Sequence, residues 1–272
     1  YSELNAGDST GFGAWFENSE TLPRNEYSKD DFKGDSVSGV GLDLTYQFSD
    51  RITLYSQFAQ LIGETKAVNG ESDALGFGLV PLGMYTYWGP VSFRAEYRYA
   101  KRNFLFNYWD QAYDVNRVTI HYDAVNDSNY VITKESQLYR FGDTKGFYAH
   151  MSLNLLNFVT LGTGYQHMSG DIWDDSIDDY TDNTNKTFMG SASLNTSFIP
   201  KVRKAMAFYQ QSNVPNPFDF EVSPTTIFGY DIGVEVSSGV MIVYKSRTTY
   251  VTAPDGELDP VHSMQFETQI IF

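Results

Sequence analysis

The side chains with chemical potential in this chain are few. It has no cysteine and only four histidines, His121, His150, His167 and His262. Without thiols there are no thiolate nucleophiles, disulfide scaffolds or sulfur-rich metal centres, and four dispersed imidazoles offer little to a zinc ion. Acyl hydrolysis needs a serine beside a base; His150 with Ser152 is one such pairing, and His167 with Asp171 pairs an imidazole with a carboxylate. Charge is the richer signal. The segment 171–182 carries six aspartates in twelve residues. These are oxygen ligands of the type Ca²⁺ takes, but they lack the spacing and glycine of an EF-hand loop. A solvated acidic loop is the plainer reading. Elsewhere Arg94, Glu96 and Arg98 recur at every second residue, and Asp231 with Glu235, Lys245 with Arg247, and Glu267 keep the same parity. That period places charges on one face of β-strands.

The elements that carry them follow from composition and period. The chain has 272 residues, 42% apolar, 16% aromatic and 19% charged, with Lys+Arg 19 against Asp+Glu 34 and a net charge of −15. So aromatic a chain has ample surface to bury and is not disordered, and the negative balance excludes a nucleic-acid binder. Its N-terminus, from Tyr1 to Asp8, has no basic or apolar leader, so any signal peptide is expected to have been removed. Two stretches, 74–93 and 146–170, lack formal charge for long enough to suggest a membrane helix, but glycine and proline in the first and polar residues in the second argue against one.

Their period is two. Val40, Leu42, Leu44, Tyr46 and Phe48 alternate with Gly41, Asp43, Thr45 and Gln47; Val91, Phe93, Ala95, Tyr97 and Tyr99 alternate with Ser92, Arg94, Glu96 and Arg98. The pattern repeats over 147–155, 188–198, 228–236 and 264–272. Segments of about 10 to 12 residues exceed ordinary strands and match the 9 to 11 that cross a bilayer at a tilt. Tight turns are expected at 49–50, 89–90, near Asn157, at 199–201 and at 237–239. Long polar segments are expected at 18–36, 63–73, 102–145, 169–185, 213–225 and 252–261, and these hold 25 of the 34 acids. Counting from a first strand near 10–17 gives twelve. Aromatic residues cluster at both ends: Phe48, Trp88, Phe158, Phe198 and Phe272 near the turns, and Trp15, Tyr99, Tyr165, Tyr209 and Tyr250 near the loops.

The last strand, Met264-Gln-Phe-Glu-Thr-Gln-Ile-Ile-Phe272, ends on an aromatic with Phe266, Ile270 and Phe272 at alternate positions. It resembles the C-terminal assembly signal of Gram-negative outer-membrane β-barrels, although that family often has a glycine where Glu267 stands. The resemblance implies one all-β domain over 1–272, an antiparallel up-and-down barrel in the bacterial outer membrane with short periplasmic turns and long extracellular loops. It further implies contact with outer-membrane lipid, lipopolysaccharide and the barrel-assembly machinery, a protein partner as an option, and no metal or other cofactor.

The function expected is a porin-like channel whose lumen is lined by Arg94, Glu96, Arg98, Asp231, Glu235, Lys245, Arg247 and Glu267. Twelve strands predict a narrow bore. Asp231 is expected opposite Lys245, and Glu267 opposite Lys245 from the other side; such a row either neutralises charge in a tight lumen or sets selectivity. The 102–145 segment contains β-like runs at 118–122 and 130–133 and either stands up as an extracellular hairpin or folds inward to constrict the pore, with Arg117, Lys134 and Arg140 as contacts. Pro81 predicts a bulge near Val80 and a change of facing beyond it. Three alternatives are an anchor or translocator for a larger chain, an outer-membrane hydrolase, and a soluble β-protein. No catalytic residue is expected, since the His-x-Ser-Asn-Gly type motif of twelve-stranded outer-membrane lipases has no match.

Overall fold

Alternation of apolar and polar residues builds strands whose two faces differ in kind, and the strands then pair so that like faces align. The computed structural model describes residues 37–66, 72–109, 113, 117–123, 128–174, 177–253 and 256–270. In chain order the strands are β1 (Ser38–Ser49), β2 (Ile52–Ile62), β3 (Glu64–Lys66), β4 (Ser72–Ala74), β5 (Phe77–Trp88), β6 (Val91–Ala100), β7 (Val118–Asp123) and β8 (Ser128–Thr133). They continue as β9 (Phe141–Leu155), β10 (Val159–Asp174), β11 (Asp179–Leu194), β12 (Val202–Val214), β13 (Thr226–Ser237), β14 (Val240–Thr252) and β15 (Leu258–Ile270). Eleven of them form one antiparallel up-and-down sheet in the order β1-β2-β5-β6-β9-β10-β11-β12-β13-β14-β15; β3-β4 and β7-β8 are separate hairpins. The strand expected near 10–17 lies outside the described residues.

The burial of the sheet is the reverse of a water-soluble one. Leu44, Phe147 and Phe266 are 71%, 66% and 72% exposed, whereas Glu96, Arg98 and Asp231 are 4%, 4% and 2% exposed. Full burial of one such apolar side chain is worth about 1.5 to 3 kcal/mol, so a water-soluble sheet would forgo that many times over. Hydrocarbon removes the penalty. At the turn end, Phe48, Trp88, Phe158 and Phe198 are all exposed, in the position of an interfacial aromatic belt.

Each of the five expected tight turns connects neighbouring strands. The other end differs from the sequence reading. Stretch 169–185 is mostly strand and 252–261 half so: β10 and β11 pair without interruption to Asp174↔Asp179, and β14 and β15 pair out to Thr252↔Leu258. Sixteen residues at about 3.3 Å each run about 50 Å, well beyond an apolar band about 25 Å tall, so this hairpin continues its ladder into water. Polar sequence marks where the hydrocarbon ends, not where the strand ends. The 102–145 segment likewise stops at 140, where β9 begins, and contains the β7-β8 hairpin and a 3₁₀ turn over Glu135–Arg140.

Pro81 acts as its chemistry predicts. The ladder between β5 and β6 shifts between Leu79↔Tyr99 and Leu82↔Tyr97, which inserts one residue on β5. Gly78 and Val80 face inward before it, and Gly83 and Tyr85 after it, so the parity of the strand is inverted.

The sheet curls around its own connection. Leu61 of β2, Ala100 of β6 and Met168 of β10 share one buried cluster with Phe104, Tyr108 and Leu138 from the segment between β6 and β9. Replacing the outward Leu44 by Arg is expected to cost about 2 to 4 kcal/mol, and Leu153→Arg the same. Thr45→Arg, one residue along on the inner face, is expected to cost less than about 1 kcal/mol. Denaturant unfolding in lipid vesicles measures all three.

Candidate functional site

The enclosed face holds two knots of charge. In the first, Glu96 is the hub. Arg98 reaches its Oε2 through Nε at 2.7 Å and Nη2 at 2.6 Å, Arg94 lies 3.1 Å from Oε1, and the Tyr55 hydroxyl donates to Oε1 at 2.6 Å. Arg94 Nε donates in turn to the Tyr55 hydroxyl at 2.9 Å. Tyr55 gets there by lying across Gly83, where a Cβ would come within 2.3 Å of its ring. Arg98 also donates to Gln166 Oε1 at 2.5 Å and is sandwiched by the rings of Tyr148 and Phe106, at 3.9 and 4.7 Å from their centroids. In the second knot, Asp231 is shared between Lys204 and Arg247, each at 2.7 Å, and Lys245 pairs with Glu267 at 2.5 Å, with Arg203–Glu235 nearby.

All eight sequence-selected residues take part in these ion pairs; Asp231 stands opposite Lys245 and Lys245 pairs with Glu267 as expected, but the finer pairing differs. Asp231 is in register with Lys245, yet its partners are Arg247 and Lys204. Glu267 stands opposite Val243, because the β14–β15 register is two residues off that of a symmetrical 251–261 loop; Lys245 reaches it diagonally. Tyr55, Gln166, Arg203 and Lys204 were not legible as members of these knots. A register shift between Val202 and Lys204 scrambles the parity of β12, and β2 alternates too weakly to assign a face to Tyr55.

Above the first knot the mouth is filled. The segment 101–109 crosses the inner wall, with Phe104 over Gly78, where a Cβ would come within 2.2 Å of the ring, and Trp109 over Gly39. Asn103 fastens it. Its φ of +60° suits the left-handed turn that asparagine tolerates, and its side-chain amide donates to Asp73 Oδ2 at 2.9 Å and Ala74 O at 3.0 Å. Its backbone N–H donates to Phe141 O at 2.8 Å, while its carbonyl accepts from Gly76. The 3₁₀ turn packs beside it, where Thr65 donates to Glu135 O at 2.9 Å. Burial pushes the Tyr108 phenol well above its usual range. Lys101, outside this packing, is held charged by its hydrogen bond to Asp143. So of the two options for 102–145, 103–108 and 133–141 fold inward, while β7 and β8 form a hairpin. A cavity of about 560 Å³ remains between the inward segment and strands β10 to β14.

Among the described residues, neither the His150–Ser152 nor the His167–Asp171 pairing is hydrogen-bonded. Ser152 Oγ lies 3.1 Å from Ser92 Oγ, while His150 lies over Gly162 and Gly164 of β10. His167 is 3.3 Å from the Tyr165 hydroxyl. In the acidic hairpin Asp171 faces Asp182 and Asp174 faces Asp179. Among the described residues no three acids or histidines converge on a point that could hold a metal ion. Of the assembly-signal residues, Phe266 and Ile270 are exposed on the outer face, and Phe272 lies outside the described residues.

No protein-family model matches the chain, and no curated protein does. Among solved structures it is similar to the porin NanC, at 7% identity over 88% of this chain and 95% of that one with a TM-score of 0.39. It is also similar to a mutant ferric enterobactin receptor, PfeA, from Pseudomonas aeruginosa, at 13% identity over 80% and 34% with a TM-score of 0.38. The third is LpxR from Salmonella typhimurium, at 10% identity over 86% and 88% with a TM-score of 0.27. The fold is one antiparallel up-and-down β-sheet with its apolar side chains on the exposed face and its charges on the other.

Glu96→Gln leaves the buried Arg98 guanidinium and the partly exposed Arg94 one without their carboxylate and is expected to destabilise the protein by about 3 kcal/mol. Glu235→Gln, whose Arg203 partner is half exposed, is expected to cost less than about 1 kcal/mol. Parallel denaturant titrations in detergent compare them.

Proposed function

We propose that this protein is a channel of the bacterial outer membrane, a β-barrel that passes small solutes through a narrow polar lumen. The observation that carries the reading is the inverted sheet: a hydrocarbon-like exterior around a wall of organised charge. Both edges of the eleven-stranded sheet run from the loop end to the turn end, since β1 leads into the 50–51 turn and β15 follows the 253–257 connection. Antiparallel closure between two such edges takes one further strand of opposite direction, for twelve in all.

The bore is narrow for two reasons. A twelve-stranded barrel lies between filled eight-stranded barrels and open sixteen-stranded porins, and the inward segment occupies part of the mouth. Glu96 and Asp231 are each shared by two cations, so both knots carry local positive excess. That excess favours anions over cations along the path. The filled mouth also supports a second reading, a barrel that anchors a partner or a larger chain without conducting.

Refolded protein in a planar bilayer separates the two. The expected result is steady openings far smaller than those of sixteen-stranded porins, with a reversal potential in a salt gradient of the sign that anion preference gives. Asn103→Ala, which loosens the inward segment, is expected to give larger and noisier openings. Insertion without conductance, in the protein and in Asn103→Ala alike, would instead support the anchor.

A further inference from the structure

The outer face of β9, β10 and β11 carries cations where its apolar part ends. Tyr148, Gln166, Met168 and Thr187 are buried and mark the inner positions, so Lys145, Phe147, Tyr165, His167 and Lys186 point outward. His167 stands in register with Lys186 on one side and Phe147 on the other, and Lys145 is the next outward residue up β9. The two lysines therefore flank β10 with the imidazole between them. Toward the turns, the three strands carry no acid as far as Leu155, Val159 and Leu194. Toward the loops, Asp143 is already held by Lys101 at 2.6 Å and by the backbone N–H of Arg102 at 3.0 Å, while Asp171 and Asp182 stand four residues beyond His167 and Lys186. Among the described residues neither Lys145 nor Lys186 has an ion pair or a hydrogen bond. Beside them the connection from β12 to β13 folds down over the outer wall as a strap. Its Phe218 stacks on Tyr165 with centroids 5.3 Å apart, Phe220 packs edge-on against Phe188 at 5.8 Å, and Gln211, opposite Phe188, is buried beneath it and donates to Glu221 O at 2.5 Å. Phe218 and Phe220 remain exposed, and the Tyr165 hydroxyl lies 3.3 Å from His167 Nδ1, so rings and cations share one ledge.

We propose that this ledge binds a phosphate-bearing lipid of the outer leaflet, with the phosphate between Lys145 and Lys186 and the acyl chains against Phe147 and the strap. Height supports it. At about 3.3 Å per residue and a tilt near 40°, a strand climbs about 2.5 Å per residue along the membrane normal. Lys145 then stands about 25 Å above Leu155 at the turn end of β9, and Lys186 about 20 Å above Leu194 of β11. An apolar band about 25 Å tall ends at that level, and a lysine stem carries its ammonium further toward the headgroups. Two strand spacings and a step of two residues put the two backbones about 12 Å apart, a gap that two extended lysine side chains close on one phosphate. The ammonium is a compact charge that binds phosphate oxygens, and basic sites at the membrane surface take anionic headgroups. A cationic headgroup would meet two ammonium groups, and a lone inorganic phosphate would leave Phe147 and the strap rings uncovered. With a net charge of −15 the chain as a whole repels anionic headgroups, which makes this flank the place where they are met. The proposal rests on the membrane reading above and not on conduction.

The test is native mass spectrometry of the detergent-refolded full chain titrated with dioctanoyl phosphatidic acid, with dioctanoyl phosphatidylcholine as the control of equal chain length. A saturable adduct with the first is expected, and binding of the second at least about tenfold weaker. Inorganic phosphate at up to about 10 mM is expected to leave the adduct in place. Lys145→Gln and Lys186→Gln are each expected to weaken it about fivefold, and the double variant about twentyfold or more. Lys201→Gln, in the turn at the opposite end, is expected to leave it unchanged, and heat-modifiable migration on gels checks that every variant is folded. Equal retention of the two lipids, retention of neither, displacement by inorganic phosphate, or indifference of the folded double variant would overturn the site. Conductance without a phosphate-selective adduct would overturn the site alone, and a selective adduct without conductance the channel alone. A chain that stays dispersed without detergent would overturn the membrane reading on which both depend.

Discussion

Backbone N–H and C=O groups cannot be left unpaired in hydrocarbon, and this requirement governs the molecule. It selects long antiparallel strands, a continuous ladder from β1 to β15, and side chains that turn their apolar half outward. Without the lipid there would be no reason for Leu42, Leu44 and Phe266 to stand exposed while Glu96 and Asp231 are buried. The interior then inherits the polar residues and must satisfy them in a confined space.

Satisfaction is achieved by sharing. Glu96 serves Arg94, Arg98 and Tyr55, and Asp231 serves Lys204 and Arg247. Each buried carboxylate thereby offsets its own desolvation with more than one charge-assisted partner, the condition under which a buried ion is tolerated. The knots also brace the wall, since the first ties β2, β6 and β10 together and the second β12, β13 and β14. Small residues allow this. Gly83 leaves room for Tyr55 to lie flat on β5, and Gly78 leaves room for Phe104 of the inward segment.

The inward segment links wall to mouth. Phe106 covers Arg98 from above while Asn103 ties the same stretch to the β3-β4 hairpin and to the start of β9. The electrostatics of the interior and the shape of the loop end are therefore set by one piece of chain, and the cavity is what that piece leaves open.

Period two in the sequence determined the strands and their facing, because alternate side chains must take opposite faces whatever the partner strand. It also determined the five tight turns, and Pro81 determined the bulge, because proline cannot donate to a ladder. These are local constraints, and they were legible. Tertiary structure alone decided who pairs with whom. Asp231 was aligned with Lys245 yet bonds Arg247 on one neighbouring strand and Lys204 on the other, since ion pairs form along diagonals that register alone does not fix. It decided that 171–182 is largely a strand hairpin, because polarity reports the lipid boundary and not the end of hydrogen bonding. It also decided that the stretch from Asn103 to Phe106 belongs inside, because its place depends on Gly78, 26 positions before Phe104 in the chain, and on a sheet that has already curled.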